Sequence, residues 1–445
     1  MKPRWSRVQY IGLALYIAIS FGYYFAGVIA LRESWFHPGK YARVPIDIND
    51  YTQAIVGVEK EAKSAGLSKG NVLKAINGEP FTGDYQLFTD VHRSHPGDTL
   101  AVTISQSSGR ERTANVRLAP REGPSWDASI IALLITILFV PLLSLVVGYW
   151  VVTARPYDPN AWLVLVLLSF SEAFFGNLNP RWWSGTLFVL LSTWNFILQC
   201  FCIPALLLFG FYFPERWRID KRWPWLKWLI LAPQFVSFFL GLWLIYIQLF
   251  HASWGPSVIS LDFWTDEIIK VLQPVSIILF LIAIFDKLRS ASTADARRRL
   301  RVLAVGSAVS LGPLLFVFAV LPYFGFNPNK GSTYEIIVPF FVVFPLTLAY
   351  VVVVQRAMDV RLIIRQSLQY TLARRGVIFL QMLLSAVLFS VVTALVASHA
   401  MSYVGTAVLI GAGLWGIFLL RGIHNGWRFS LIVASSAKPT TLRQS

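Results

Sequence analysis

The sequence predicts a polytopic α-helical membrane protein of about ten transmembrane helices, with one extracytoplasmic α/β domain. Three observations carry this. Hydrophobic residues make up 56% of the 445 positions and charged residues only 14%, a balance typical of chains buried in lipid. Apolar runs of spanning length recur from residue 9 to residue 420. One long polar stretch, residues 35–125, interrupts them.

A spanning helix needs about 20 mostly apolar residues. Runs at 9–31, 128–152, 160–178, 186–213, 226–250, 267–286, 302–323, 336–355, 376–397 and 403–420 meet that need. The first begins with Lys2, Arg4 and Arg7. It is long and aromatic and lacks a small-residue cleavage site, so an uncleaved anchor (1–34) is expected. The seven helices of 126–355 form a bundle, 356–375 a cytoplasmic interfacial linker, 376–421 two final spans, and 422–445 a tail.

Charge sets the orientation. With the N-terminus inside, 24 of the 39 basic residues fall in cytoplasmic segments and four in short outer loops. The long stretch 35–125 holds 11 basic and 10 acidic residues. The net charge of +16 is therefore juxtamembrane, which suits orientation and anionic lipid and argues against nucleic acid. Both termini are expected in the cytoplasm, with residues 35–125 on the far side of the membrane. Tryptophans gather at one border, at Trp217, Trp223, Trp225 and Trp228, where indole suits the headgroup region. Cys200 and Cys202 lie two apart in one apolar run and point to different helix faces, which suits packing.

Within 35–125, IVGVEK and DTLAVTISQ predict strands. SSGR predicts a hairpin turn, and Asn77-Gly78 another, because both residues tolerate positive φ. The stretch AGLSKGNVLKAINGEPF (65–81) resembles the core of bacterial PDZ domains at Ala65, Gly66, Leu67, Gly70, Val72, Ile76, Asn77, Gly78 and Phe81, with Asn71 in place of the usual Asp. The resemblance implies a groove helix at 85–93 with Phe88 and Val91 as candidate peptide contacts. A PDZ groove binds an extended chain by strand addition. Its carboxylate loop is usually glycine-rich, whereas YARVPIDINDY (41–51) has no glycine, so a peptide groove and a PDZ-shaped packing module both remain open.

AYVVVVQRAMDVRLIIRQSLQYTLARRG (349–376) carries Arg356, Asp359, Arg365 and Tyr370. With the preceding PDZ-like stretch, it resembles PDZ-containing multi-span bacterial sensors, including competence-type sensor histidine kinases and sensor-linked serine phosphatases. The resemblance implies a signalling linker, a homodimer, a protein or peptide ligand outside, and a kinase, phosphatase or cyclase effector beyond the last span. LIVASSAKPTTLRQS (431–445) departs from the basic linker of such sensors. One allowed coding of it reads as that linker in a shifted frame, so a tail frameshifted from Leu431, with the effector lost, is the expectation.

Two intramembrane features stand apart. Glu172 lies in the third run; an ionisable group there is a functional lead, although a carboxylate reaching the outer interface is the plainer reading. Gln273-Pro274 predicts a kink in the sixth run. No HExxH, GxxxxGK[ST] or GxSxG occurs, so neither a metal, a cofactor nor catalysis by this chain is expected. A transporter or membrane assembly factor is the competing class.

Overall fold

The computed structural model describes residues 7–106, 109–123, 128–173, 185–317 and 333–353. The linker 356–375, with Arg356, Asp359, Arg365 and Tyr370, lies outside the described residues. So do the last two expected spans and the tail.

The helices are α1 (Arg7–Phe36), α2 (Lys60–Ser64), α3 (Asp84–Arg93), α4 (Ala128–Ala154), α5 (Pro159–Ser169), α6 (Gly185–Tyr212), α7 (Arg218–Arg222), α8 (Trp228–Phe250), α9 (Gly255–Ser290), α10 (Ala294–Leu315) and α11 (Thr333–Val353). The strands are β1 (Ala42–Arg43), β2 (Ile46–Ile48), β3 (Ile55–Val58), β4 (Val72–Ile76), β5 (Glu79–Pro80), β6 (Thr99–Ser105), β7 (Glu111–Arg117) and β8 (Ala119–Pro120). Among the described residues, five helical stretches are long and apolar enough to cross a membrane: Val8–Glu33, Ile137–Ala154, Gly185–Tyr212, Trp228–Phe250 and Ala252–Ser290. Pro159–Ala173 and Val343–Val352 are shorter apolar helices. The protein is thus largely helical and of membrane type, with small sheets.

Two compact units divide the chain. The first holds Met1–Ser125 and Ile137–Ala304, the second Trp126–Thr136 and Val305–Ser445. In the second, Gly306 of α10 lies against the Thr347 side chain of α11, closer than any Cβ would permit, the small-residue contact by which apolar helices approach.

In the first unit, residues 41–123 make the β-rich domain. Its main sheet runs β5-β4-β6-β7, and β2-β3 and β1-β8 form two smaller pairs. β6 and β7 pair antiparallel from Thr99 opposite Arg117 to Ser105 opposite Glu111. Alternation decides which face is inside: Leu100, Val102 and Ile104 point inward from β6, Ala114 and Val116 from β7, and all five are buried. The turn at Asn77-Gly78 has φ of 50° and 83°, the left-handed pair a two-residue hairpin requires. Asn71 is buried, and its side-chain oxygen accepts from the Ser68 backbone N–H at 2.9 Å and its hydroxyl at 3.1 Å. An amide does there what a carboxylate could. The other residues singled out in 65–81 sit as follows: Gly66 and Gly70 have φ of 87° and 86°, and Leu67 and Ile76 are core.

Two helices differ from the sequence reading. α9 starts at Gly255, not near 267, because Pro256 suits a first helical turn and the polar residues after it lie beside the β-rich domain. α5 ends at Ser169 with a short helical turn to Ala173, and the rest of the expected run, 174–178, lies outside the described residues.

Replacing Leu73, which is fully buried in this core, should leave a cavity. Leu73→Ala is expected to cost about 2–5 kcal/mol, read as a lowered melting midpoint for the sheet amides of the detergent-solubilised chain by hydrogen exchange.

Candidate functional site

The β-rich domain is fastened to the ends of the apolar helices. Ala252, in the turn between α8 and α9, donates its backbone N–H to the Thr82 carbonyl at 2.8 Å and is itself part of the domain's hydrophobic core. A Cβ on Gly83 would meet the Gln248 and Leu249 carbonyl oxygens at 2.5 Å. Gly255 leaves no such room against the Tyr51 backbone. Backbone therefore meets backbone on both sides of the turn, which only glycine permits. Around this contact the Tyr85 and Phe250 rings are 5.2 Å apart, and the Phe88 and Phe188 rings meet edge-on at 5.3 Å. The Tyr51 hydroxyl donates to the Asp262 carboxylate of α9 at 2.7 Å. Burial first, and then that carboxylate, hold the Tyr51 phenol above its usual pKa.

The two candidate peptide contacts on α3 are both packed against protein. Val91 is closed inside the core, and Phe88 is packed between that core and Phe188. Both face protein because α3 turns one side to the sheet and the other to α6 and α8. His92 on the same helix stacks on Tyr41 at 6.5 Å. Burial, with the Arg121 charge nearby, lowers its pKa.

At the opposite end of α6, α8 and α9 lies a polar clasp. The last carbonyls of a helix have no partner within it. Here Lys287, near the end of α9, donates to Gly210 O at 2.8 Å, Phe211 O at 3.0 Å and Phe213 O at 2.8 Å. An ammonium has three donors, and three carbonyls take them. Beside it, Asp286 accepts from Trp217 Nε1 at 2.9 Å. Asp220 of α7 is buried between Arg216 at 2.5 Å and Lys227 at 2.9 Å. Lys227 also donates to the Tyr212 hydroxyl at 2.6 Å. Burial opposes the Lys227 charge, but the bonds to Tyr212 and Asp220 outweigh it and raise the pKa. α6, α7, α8 and α9 are thereby joined through side chains at one level.

Helix α9 links the two places. Its 36 residues extend about 54 Å at 1.5 Å each. Tyr51 grips its first turns and Lys287 its last. Pro274 lies inside it, and Ser276 on the next turn accepts from Gln234 of α8 at 2.8 Å.

Glu172 sits in the short helical turn that follows α5. It is fully buried, with Trp194 Nε1 donating to Oε2 at 3.5 Å. Oε1 has no hydrogen-bond partner among the described residues. Tyr16 packs edge-on against Trp194 at 5.3 Å and Tyr149 at 6.1 Å. Cys202 is buried and Cys200 half-buried, both free. Among the described residues no group of His, Cys, Asp or Glu could hold a metal.

Sequence reasoning singled out Glu172 but missed Lys287 and Tyr51. Lys287 counted only as an inside charge. The signal that it does more is its place within the final turn of an apolar helix, where a lysine must find acceptors or snorkel.

Comparison with protein-family models, with curated proteins and with solved structures gives no match.

Lys287→Met keeps the stem and removes the donors, leaving the Gly210 and Phe213 carbonyls unpaired while Phe211 O keeps the Trp217 backbone N–H at 2.7 Å. The expected loss is on the order of 3 kcal/mol, with faster exchange of the last amides of α6 as the readout. The His92 shift has a definite sign. A lowered folded pKa means the neutral imidazole is favoured by folding, so its contribution is complete above the unfolded value of about 6.5. It is lost as pH falls below that. The domain should therefore unfold at lower temperature at pH 5 than at pH 7, and His92→Gln should reduce that difference.

Proposed function

We propose that the chain is the sensory and signal-transducing region of a bacterial inner-membrane protein, with the β-rich domain acting as a PDZ-like module outside and the clasp at the cytoplasmic face. The observation that carries this reading is α9: one helix held by the domain at its first turns and by the Lys287 clasp at its last. A ligand or partner protein that favours one docking geometry over another would shift the clasp with it, and it can do so only by binding the two states unequally. On this reading about ten spans form the bundle, the termini are cytoplasmic, and the chain works as a homodimer. The signal passes through the segment of Arg356, Asp359, Arg365 and Tyr370 to an effector kinase, phosphatase or cyclase, with no catalysis by this region itself. Because Phe88 and Val91 are already packed, a peptide would engage the domain elsewhere than along α3.

A transporter or assembly factor is the alternative. Glu172 favours it, since a buried carboxylate within a helical bundle is the kind of group a transport path uses.

The test is to release the dock and watch the clasp. Gly255→Leu forces the Tyr51 backbone away and is expected to raise hydrogen exchange in residues 210–230, about 50 Å distant along α9. Exchange that rises at 50–52 and 82–88 but stays unchanged at 210–230 would remove the basis for transmission. An unchanged clasp, combined with transport lost in Glu172→Gln, would move the reading to the alternative.

A further inference from the structure

The segment around α7 has two sides. Inward, Asp220 and Lys227 are buried in the clasp and Trp217 packs against Phe211 at 5.2 Å. Outward, Arg218, Lys221 and Arg222 are exposed, and among the described residues none of them makes an ion pair. Interleaved with them, Trp223, Trp225 and Trp228 are 49%, 59% and 54% exposed. Arg222 lies over the Trp223 ring at 5.3 Å. Glu215 is the acidic residue exposed in the same stretch.

Three large indoles in the open are costly in water and favourable at the headgroup level, where the ring meets acyl chain and the N–H meets polar groups. Their position fits, because Trp228 begins α8 and so marks where the apolar stretch starts. Cations placed at that same level meet lipid phosphate. Nucleic acid or an acidic protein would account for the charge and leave the indoles unexplained.

We propose that α7 and the turn into α8 form a binding site for anionic phospholipid, with Arg218, Lys221 and Arg222 taking the headgroup phosphates and Trp223, Trp225 and Trp228 seated at the acyl boundary. Because Asp220 lies on the inner side of the same short helix, an occupied site holds the clasp closed. The inference depends on the membrane placement of the helices and is independent of the sensor reading.

The full chain is placed in nanodiscs of phosphatidylcholine with a minor fraction of phosphatidylglycerol, and the lipid retained by the protein is read by native mass spectrometry. Retained lipid should be enriched in phosphatidylglycerol over the bulk. Each basic side chain near an anionic surface is worth about fivefold in affinity, so R218Q/K221Q/R222Q should lower it on the order of 100-fold. R218K/R222K, which keeps the charge, should retain most of it and guards against a folding defect. Lys60, Lys63 and Lys69 on the β-rich domain serve as a remote trio, and their neutralisation should change nothing. No enrichment in the wild type, equal enrichment in the R218Q/K221Q/R222Q variant, or equal loss on neutralising the remote trio would each overturn the site.

Discussion

A helix that ends among apolar neighbours has carbonyls it cannot satisfy. At the end of α6 the Gly210 carbonyl, that of Phe213 just beyond the helix, and that of Phe211, which also accepts from the Trp217 backbone N–H, all receive the Lys287 ammonium. Much else depends on that contact. It fixes α9 against α6, where Gly210 lets the Phe280 ring approach to 2.7 Å of the missing Cβ. It brings Asp286 within reach of Trp217, and so positions the chain for α7. The charge of Lys287 and the near end of the α6 dipole have opposite signs and attract, since a helix C-terminus is its negative end. Hydrogen bonding and electrostatics thus point to the same geometry.

The opposite end is built from different chemistry. There the β-rich domain meets the helices through backbone, with Thr82, Gly83, Tyr51, Ala252 and Gly255 in close approach. Such a contact tolerates little sliding, because a small displacement removes a hydrogen bond and opens a gap in a packed core. Ala252 makes the point: it belongs to the linker of two apolar helices by sequence and to the domain core by packing. The domain and the helix pair α8–α9 share one hydrophobic interior at that position. This is why motion of the domain would be felt by α9 and absorbed poorly by the turn.

Between the ends, the buried polar side chains among the described residues are serines and threonines, including Ser144, Ser237, Thr265 and Ser276, together with the carboxylate of Glu172. A carboxylate enclosed by Tyr16, Tyr149 and Trp194 is expensive in its charged form. Its position beside α1 and α6 makes it the least ordinary polar group among the described residues of the helices.

The periodicity of apolar residues and their run lengths gave the helices, and β-branched alternation gave the strands, because both depend on neighbours within a few positions. Asn77-Gly78 gave its turn for the same local reason: a positive φ is a property of the residue. Glu172 was visible as a charge in an apolar run, yet its surroundings were not, since Trp194 lies 22 positions away and reaches it only after α5 and α6 pack. Phe88 and Val91 looked like groove residues because the pattern places them on one helix, and nothing in the sequence states that α6 lies against that helix. Lys287 and Tyr51 were the least legible. Their partners, Gly210 to Phe213 and Asp262, are 74 to 211 residues distant, and a backbone carbonyl has no letter of its own. The sequence by itself determined which segments are apolar, which turns can form and where the charges gather. Only the tertiary structure decided which helix end a lysine would cap and which surface of the domain would be covered. Those choices follow from packing between distant elements, where shape and unsatisfied hydrogen bonds select the partner.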